Sequence, residues 1–127
     1  MGAHGGARHH EDLEVWKSAI VLAKLVYQLT LRLPRVEHYG LAAQLRDTAV
    51  SIPANLAEGA ARGSTRDFAR FVSIAQGSLA EMETHLVLVR ELYGIAADAD
   101  VLARVTSLRR MLIALRAALI ARAKKHS

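Results

Sequence analysis

Residues Tyr39–Ser64 read YGLAAQLRDTAVSIPANLAEGAARGS, an amphipathic helical pattern that carries a proline, Pro53, near its middle. Leu41, Leu45, Thr48, Ile52, Leu56 and Gly59 recur at helical spacing and define one inner face. A proline in a helix interior deletes a backbone hydrogen bond, crowds the preceding turn and costs about 3 kcal/mol. A helix that keeps one must be clamped by neighbours, so the segment predicts a packed helix in a bundle. Ser51 and Asn55 are placed to bond backbone groups that the proline frees. Asn55 lies at the edge of the inner face, where its amide can instead bond across to another helix. Glu58 projects outward with Arg62 one turn further on. Pro53, Asn55, Glu58 and Gly59 are therefore read as structural residues.

Outward from this segment, period-3.6 patterning fills the chain and no stretch alternates with period 2. A first helix is predicted over 13–33, closed by Pro34, which pushes the residue before it out of the helical region. The second runs over 39–62 and is broken by Gly63. Ser64-Thr65-Arg66-Asp67 has the form of a capping box and opens a third over 65–93, with Gly94 placed as a left-handed C-cap. A fourth, with Asp98 or Asp100 as N-cap, spans 99–122. Four helices with three short connections predict an all-α, antiparallel up-down-up-down four-helix bundle. The division is a flexible leader over 1–11, the bundle over 12–123 and a basic tail over 124–127.

At 127 residues the chain suits one domain, and its core draws on Leu, Ala, Ile and Val. With no cysteine, disulfides and Cys-based zinc sites are excluded, which suits a cytoplasmic location. Lys24 and Arg116 interrupt the two best apolar runs, so no membrane span is expected, and MGAHGGARHH lacks the apolar core of a secretion signal.

No reaction centre is legible. A di-iron bundle needs a Glu-x-x-His motif on each of two helices; here Glu81 and His85 are four apart, Glu83 and His85 two apart, and the fourth helix supplies no counterpart. Glu81 and His85 read as a surface i,i+4 pair. Ser51, Ser73 and Ser78 have no recognisable His/Asp constellation, and the glycines at 59, 63 and 77 fit no phosphate-loop or dinucleotide spacing. No metal and no cofactor are expected, and the chain is read as a non-enzyme. An ordered ligand among Asn55, Glu58 and His85 would reverse that reading.

The charge is uneven. Residues 1–100 hold ten basic and twelve acidic side chains, whereas 101–127 hold seven basic and none acidic. Such an end favours polyanions, and it also complements a helix C-terminal dipole. Arg62, Arg66 and Arg70 recur every four positions, read as a stripe opposite the Phe68/Phe71 core face, and suit bidentate phosphate contacts. Arg109, Arg110, Arg116, Lys124 and Lys125 add candidates from the fourth helix. No aromatic residues interleave with the arginines, so the expected binding is backbone-driven, salt-sensitive and weak in sequence preference.

Apolar residues exceed what one core can cover. The first helix is apolar over about half its circumference, Trp16, Ile20, Ala23 and Tyr27 forming a second stripe. Ile74, Leu88 and Leu92, near the small Gly77, and Ile113 and Ile120 lie off the main stripes of the later helices. These six are the candidate interface of a homo-oligomer.

DLEVWKSA at Asp12–Ala19, YGLAAQLRDTAVSIPANLAEGAAR at Tyr39–Arg62 and FVSIAQGSLAEMETHL at Phe71–Leu86 together resemble the four-helix-bundle proteins encoded by intervening sequences in bacterial 23S rRNA genes. The resemblance spans about residues 12 to 120, with VSIPANLAEG at Val50–Gly59 the most specific block. It implies a small bacterial cytoplasmic protein assembled as a ring-like homopentamer. The family is also similar to the accessory variability protein of diversity-generating retroelements, a basic pentamer that binds nucleic acid and a reverse transcriptase. The expected function is thus a nucleic-acid-binding accessory oligomer with RNA or DNA, and a reverse transcriptase or other protein, as partners. The alternative is a structural or scaffolding oligomer that binds proteins alone.

Overall fold

The computed structural model describes residues 6–125, with side chains from Asp12 onward. Four helices follow one another: α1 Gly6–Thr30, α2 Leu41–Ala61, α3 Thr65–Tyr93 and α4 Ala99–Lys125, with a 3₁₀ turn at Arg35–Glu37 between α1 and α2. No strand occurs among the described residues. Contacts between helices fix their directions. On α2 and α3, Gly59 meets Phe68 and Phe71 while Ser51 meets Ser78, so the chain runs antiparallel there. Glu83 pairs with Arg109 between α3 and α4, and Arg32 reaches Asp98 near the far end of α1. Helices adjacent in the chain pack on one another, and α1 closes the bundle against α4.

The helix ends differ from the sequence reading for local reasons. α1 stops at Thr30, and Leu31, Arg32 and Leu33 follow as i→i+3 turns that tighten the chain ahead of Pro34. At its other end α1 begins at Gly6, so residues 6–11 of the expected flexible leader are helical; residues 1–5, with His4, lie outside the described residues. Once a helix is nucleated, each added residue costs little. α4 likewise takes in Lys124 and Lys125, whose charges complement its C-terminal dipole; residues 126–127 are outside the description.

α2 opens at Leu41, whose N–H donates to Glu37 Oε1 at 2.9 Å. Glu37 Oε2 accepts the Tyr93 hydroxyl from the end of α3. Ser64 Oγ accepts the Asp67 N–H at 3.2 Å and caps α3, preceded by Gly63 with φ 77°. Gly94, with φ 67°, closes α3 by donating its N–H to the Arg90 carbonyl at 2.8 Å. At the start of α4 the Asp98 carbonyl takes the Leu102 N–H at 3.1 Å, while its carboxylate reaches towards Arg32.

The core is a stack of aliphatic layers. Leu22, Leu45, Ile52, Leu79, Met82, Leu108, Leu112 and Leu119 are sealed from solvent. Each such side chain contributes about 1.5–3 kcal/mol by leaving water. That burial offsets Pro53, which is itself buried inside α2.

Candidate nucleic-acid interface

Antiparallel packing gathers the C-terminus of α2, the N-terminus of α3 and the C-terminus of α4 at one end of the bundle. Arg62 caps α2, Arg66 and Arg70 occupy the first turns of α3, and Arg116, Lys124 and Lys125 belong to the last turns of α4. Side chains far apart in sequence thus share one end. The acids there with described side chains are Asp12, Glu14, Glu58 and Asp67. Of these, Glu58 binds Arg62 at 3.1 Å in an exposed i,i+4 pair, which contributes a few tenths of a kcal/mol.

The arginines do not form the simple outward stripe expected. All three are exposed, but two of them lean back over an aromatic ring. The Arg70 and Arg62 guanidinium carbons lie 4.6 and 5.1 Å from the centre of the Phe71 ring. Phe71 sits on the flank of α3 that faces α2, so the long stems of both arginines fold over it and bury it. An aromatic residue is therefore interleaved with the arginines after all. Stacking of this kind is worth about 0.5–1 kcal/mol per cation at an exposed site and fixes the planes of two guanidinium groups.

Arg109 and Arg110 belong elsewhere. They sit in the middle of α4, some 20 Å from Lys124 at 1.5 Å per residue. Arg109 is engaged by Glu83 across the α3–α4 seam, and Arg110 is exposed. Arg122 turns into the groove between α1 and α4, beside Asp12, Glu14 and Met111, with a buried Nη1 that has no hydrogen-bond partner among the described residues.

The opposite end is neutralised. Arg32 reaches Asp98 at 3.7 Å, Arg104 binds Asp100 at 3.2 Å, Arg90 binds Glu91 at 3.3 Å and Arg46 donates to the His38 carbonyl at 2.9 Å. Glu37 and Tyr93 add a polar clasp there, fifty-six residues apart in sequence and invisible to any local pattern. The Tyr93 bond first, and the Leu41 N–H second, hold the Glu37 carboxyl below its usual range; the same bond to Glu37 raises the Tyr93 phenol.

The proline block is a packing device between α2 and α3. Gly59 is buried, and a Cβ on it would stand 2.6 Å from Phe71 Cβ and 3.0 Å from Phe68 Cδ1. Ser51 Oγ bonds Ser78 Oγ across the seam at 2.8 Å. Asn55 does not cross; its Nδ2 donates to the Ser51 carbonyl and hydroxyl at 2.8 and 2.9 Å. The carbonyl that Pro53 deprives of a donor is that of Ala49, one turn back, so Asn55 ties the turn around Pro53 without bonding the freed group. Ser51, with its shorter side chain and its place on the α3 flank, makes the crossing.

Ile74, Leu88, Leu92 and Ile113 are exposed, Gly77 has open space beside it, and Ile120 packs partly against the core. At 100° per residue, Ile74, Leu88 and Leu92 point along the α2 side of α3, whereas Ile113 and Ile120 point to the α3 side of α4. They do not share one face. Larger apolar exposure lies on α1, at Leu13, Trp16, Ile20 and Tyr27, and just past its end at Leu31; the breadth of the first apolar stripe was its signal in the sequence.

Among the described residues no three metal-ligating side chains converge. His85 Nε2 lies 3.6 Å from Glu81 Oε2 on the same helix. No described helix is long and apolar enough to cross a membrane. A comparison with curated proteins gives no match. The family match covers residues 11–114, from the start of the α1 apolar stripe, through the proline block and the Gly59 seam, to the middle of α4. With the four-helix architecture and the proline block both inside that span, the chain belongs to the 23S rRNA-intervening sequence protein family.

Proposed function

We propose that the chain is a non-enzymatic, homo-oligomeric accessory protein, a ring-like pentamer, that binds nucleic acid through phosphate contacts at the basic end of the bundle. The observation that carries this reading is the convergence of Arg62, Arg66, Arg70, Arg116, Lys124 and Lys125 from three helices on one end, while Arg32, Arg46, Arg90 and Arg104 at the other end are paired with acids or a carbonyl. Arg62 and Arg70 are held in place by Phe71; Arg62 also gives Nη2 to Glu58, in an exposed pair that a phosphate can displace. Arg109 has no part in this site because Glu83 occupies it.

Fluorescence anisotropy with labelled duplex DNA and structured RNA across a salt series tests the reading. Affinity falls with a log–log slope of about −0.9 per phosphate neutralised. Arg62→Ala/Arg66→Ala/Arg70→Ala reduces that slope by roughly 2–3 with little change in sequence preference. Absence of binding at low salt refutes the nucleic-acid role. It leaves the scaffolding oligomer, which the exposed apolar side chains of α1 favour.

A further inference from the structure

One corner of the neutralised end keeps its charge. Between the last turn of α1, the 31–40 connection and the first turns of α2 lies a surface pocket of about 700 Å³. Arg35, His38 and Arg46 line it, and none of the lining residues is acidic. Arg46 is half-buried and donates Nη2 to the His38 carbonyl at 2.9 Å, which satisfies one donor and leaves the charge uncompensated. Arg35 is exposed, and its guanidinium has no partner among the described residues. The His38 ring is held edge-on to Tyr39, with 4.6 Å between ring centres. The neighbouring acids are turned elsewhere. Glu37 accepts from the Leu41 N–H and from Tyr93, Asp98 is drawn to Arg32, and Asp47 is exposed outside the lining.

The end of a helix presents carbonyls that disfavour an anion, and α1 ends here. Those carbonyls are already occupied. Gln28, Leu29 and Thr30 accept the N–H groups of Leu31, Arg32 and Leu33, and the Tyr27 carbonyl accepts the Thr30 hydroxyl at 2.6 Å. The carbonyls of Arg35 and His38 are taken by the His38 N–H and by Arg46. The polar part of the pocket therefore offers donors. Its remainder is apolar: Leu33 and Ala42 are buried beneath it, and Tyr27 and Leu31, 42% and 84% exposed, stand at its rim.

We propose that this pocket binds a small phosphate monoester, an organic phosphate carrying one compact apolar or aromatic group. Such a group carries about −1.5 to −2 charge at pH 7, which matches two uncompensated guanidinium groups where a carboxylate matches one. Arg35 and Arg46 take the phosphate oxygens with paired N–H groups. The organic part covers Leu33, Pro34 and Ala42 beside Tyr27 and Leu31, and both surfaces leave water. The volume lies within the range of small-molecule sites, about 300–1,000 Å³. A nucleic-acid backbone, with one charge per phosphate, supplies neither the second charge nor the apolar group. The site is thus separate from the basic end of the bundle and does not depend on it.

Phenyl phosphate is the probe, titrated into the isotopically labelled full chain and followed by amide chemical shifts, with inorganic phosphate, benzoate and phenol as comparisons. Saturable shifts centred on residues 27–46 are expected, with phenyl phosphate at least tenfold tighter than each of the other three. Arg35→Ala is expected to weaken phenyl phosphate at least tenfold, and it keeps the fold because that side chain has no structural partner. Arg46→Lys, which retains the charge but loses the planar fork, weakens it severalfold. Arg110→Ala, at an exposed arginine in the middle of α4, leaves it unchanged. Inorganic phosphate binding as tightly as phenyl phosphate means an adventitious ion only and overturns the proposal. Equal binding of benzoate overturns the choice of a phosphate. Shifts centred on residues 62–70, no saturable shifts, or an Arg35→Ala protein that binds unchanged overturn the site.

Discussion

Replacing Gly59 by alanine sets two opposed effects against each other on one methyl group. In an exposed helix interior the change gains about 1 kcal/mol, because alanine loses less backbone entropy than glycine. Here the new Cβ lands 2.6 Å from Phe71 Cβ and 3.0 Å from Phe68 Cδ1. Carbon atoms pack comfortably at about 3.5–4.0 Å, so the overlap with Phe71 is about 1 Å. A rotamer change cannot relieve it, because Phe71 Cβ is fixed to the backbone of α3. The two helices must part, loosening the seam that carries the Ser51–Ser78 bond. Overpacking of this sort costs about 1–3 kcal/mol, and an immovable neighbour puts it at the upper end. The net effect is a loss of roughly 2 kcal/mol. For a domain of this size that lowers Tm by about 6–10 °C at fixed protein concentration. Gly77→Ala is the matched control, since nothing lies within 4 Å of its added Cβ; it raises Tm by a few degrees through the propensity gain alone, of up to about 1 kcal/mol. Calorimetry or a circular-dichroism melt reads both. A Gly59→Ala protein as stable as the Gly77→Ala protein refutes the close approach of α2 to α3.

The seam hydrogen bonds are tested by a double-mutant cycle in urea. Ser51→Ala and Ser78→Ala each cost about 1 kcal/mol and are less than additive together, because either change removes the same cross-helix bond. The Glu37–Tyr93 clasp has a pH signature. Glu37 is held below its usual range, so its contribution is present above that range and is lost as pH falls through the lowered value. Tyr93 is raised, so its contribution is present below the ordinary phenol range and is lost as pH climbs through the raised value. Tyr93→Phe abolishes the alkaline dependence and weakens the acid one, to which the Leu41 N–H still contributes, read as loss of amide protection over residues 35–41 after correction for the intrinsic pH dependence of exchange. Phe71→Leu keeps the seam apolar but removes the ring beneath Arg62 and Arg70. Nucleic-acid affinity, measured by anisotropy, is expected to fall severalfold with the salt slope unchanged, since the charges remain.

Much of the fold was written in the periodicity. Apolar spacing located four helices, and Ser64 and Gly94 marked a start and a stop that the backbone realises with one capping bond each. What periodicity could not supply was reach across the bundle. Asn55 and Ser51 are both placed to cross to α3, and only the helix-to-helix distance selects Ser51. The arginine spacing at 62, 66 and 70 looked like one helical stripe, but a break at Gly63 separates Arg62 from the other two. Two flexible stems on either side of that break then find the same aromatic ring. Glu37 and Tyr93 carry no motif, so their bond follows only from antiparallel packing that brings the α1–α2 connection beside the end of α3. The α1 apolar surplus was legible as breadth of hydrophobicity, while the place of Trp16 beside Ala57 and Ala60 of α2 required the register.

The Glu37–Tyr93 bond also sets an order of opening. Helices α2 and α3 are tied at one end by the three-residue turn at 62–64 and at the other by this clasp, with the Ser51–Ser78 bond between. The α1–α4 contact is the sparsest of the four seams, and the Arg32–Asp98 pair at one end of it is long. The bundle therefore behaves as a closed book with its spine at α2–α3 and its fore-edge at α1–α4. Native-state exchange should find the fore-edge parting at lower free energy than the spine, with α1 and α4 releasing protons before α2 and α3 do.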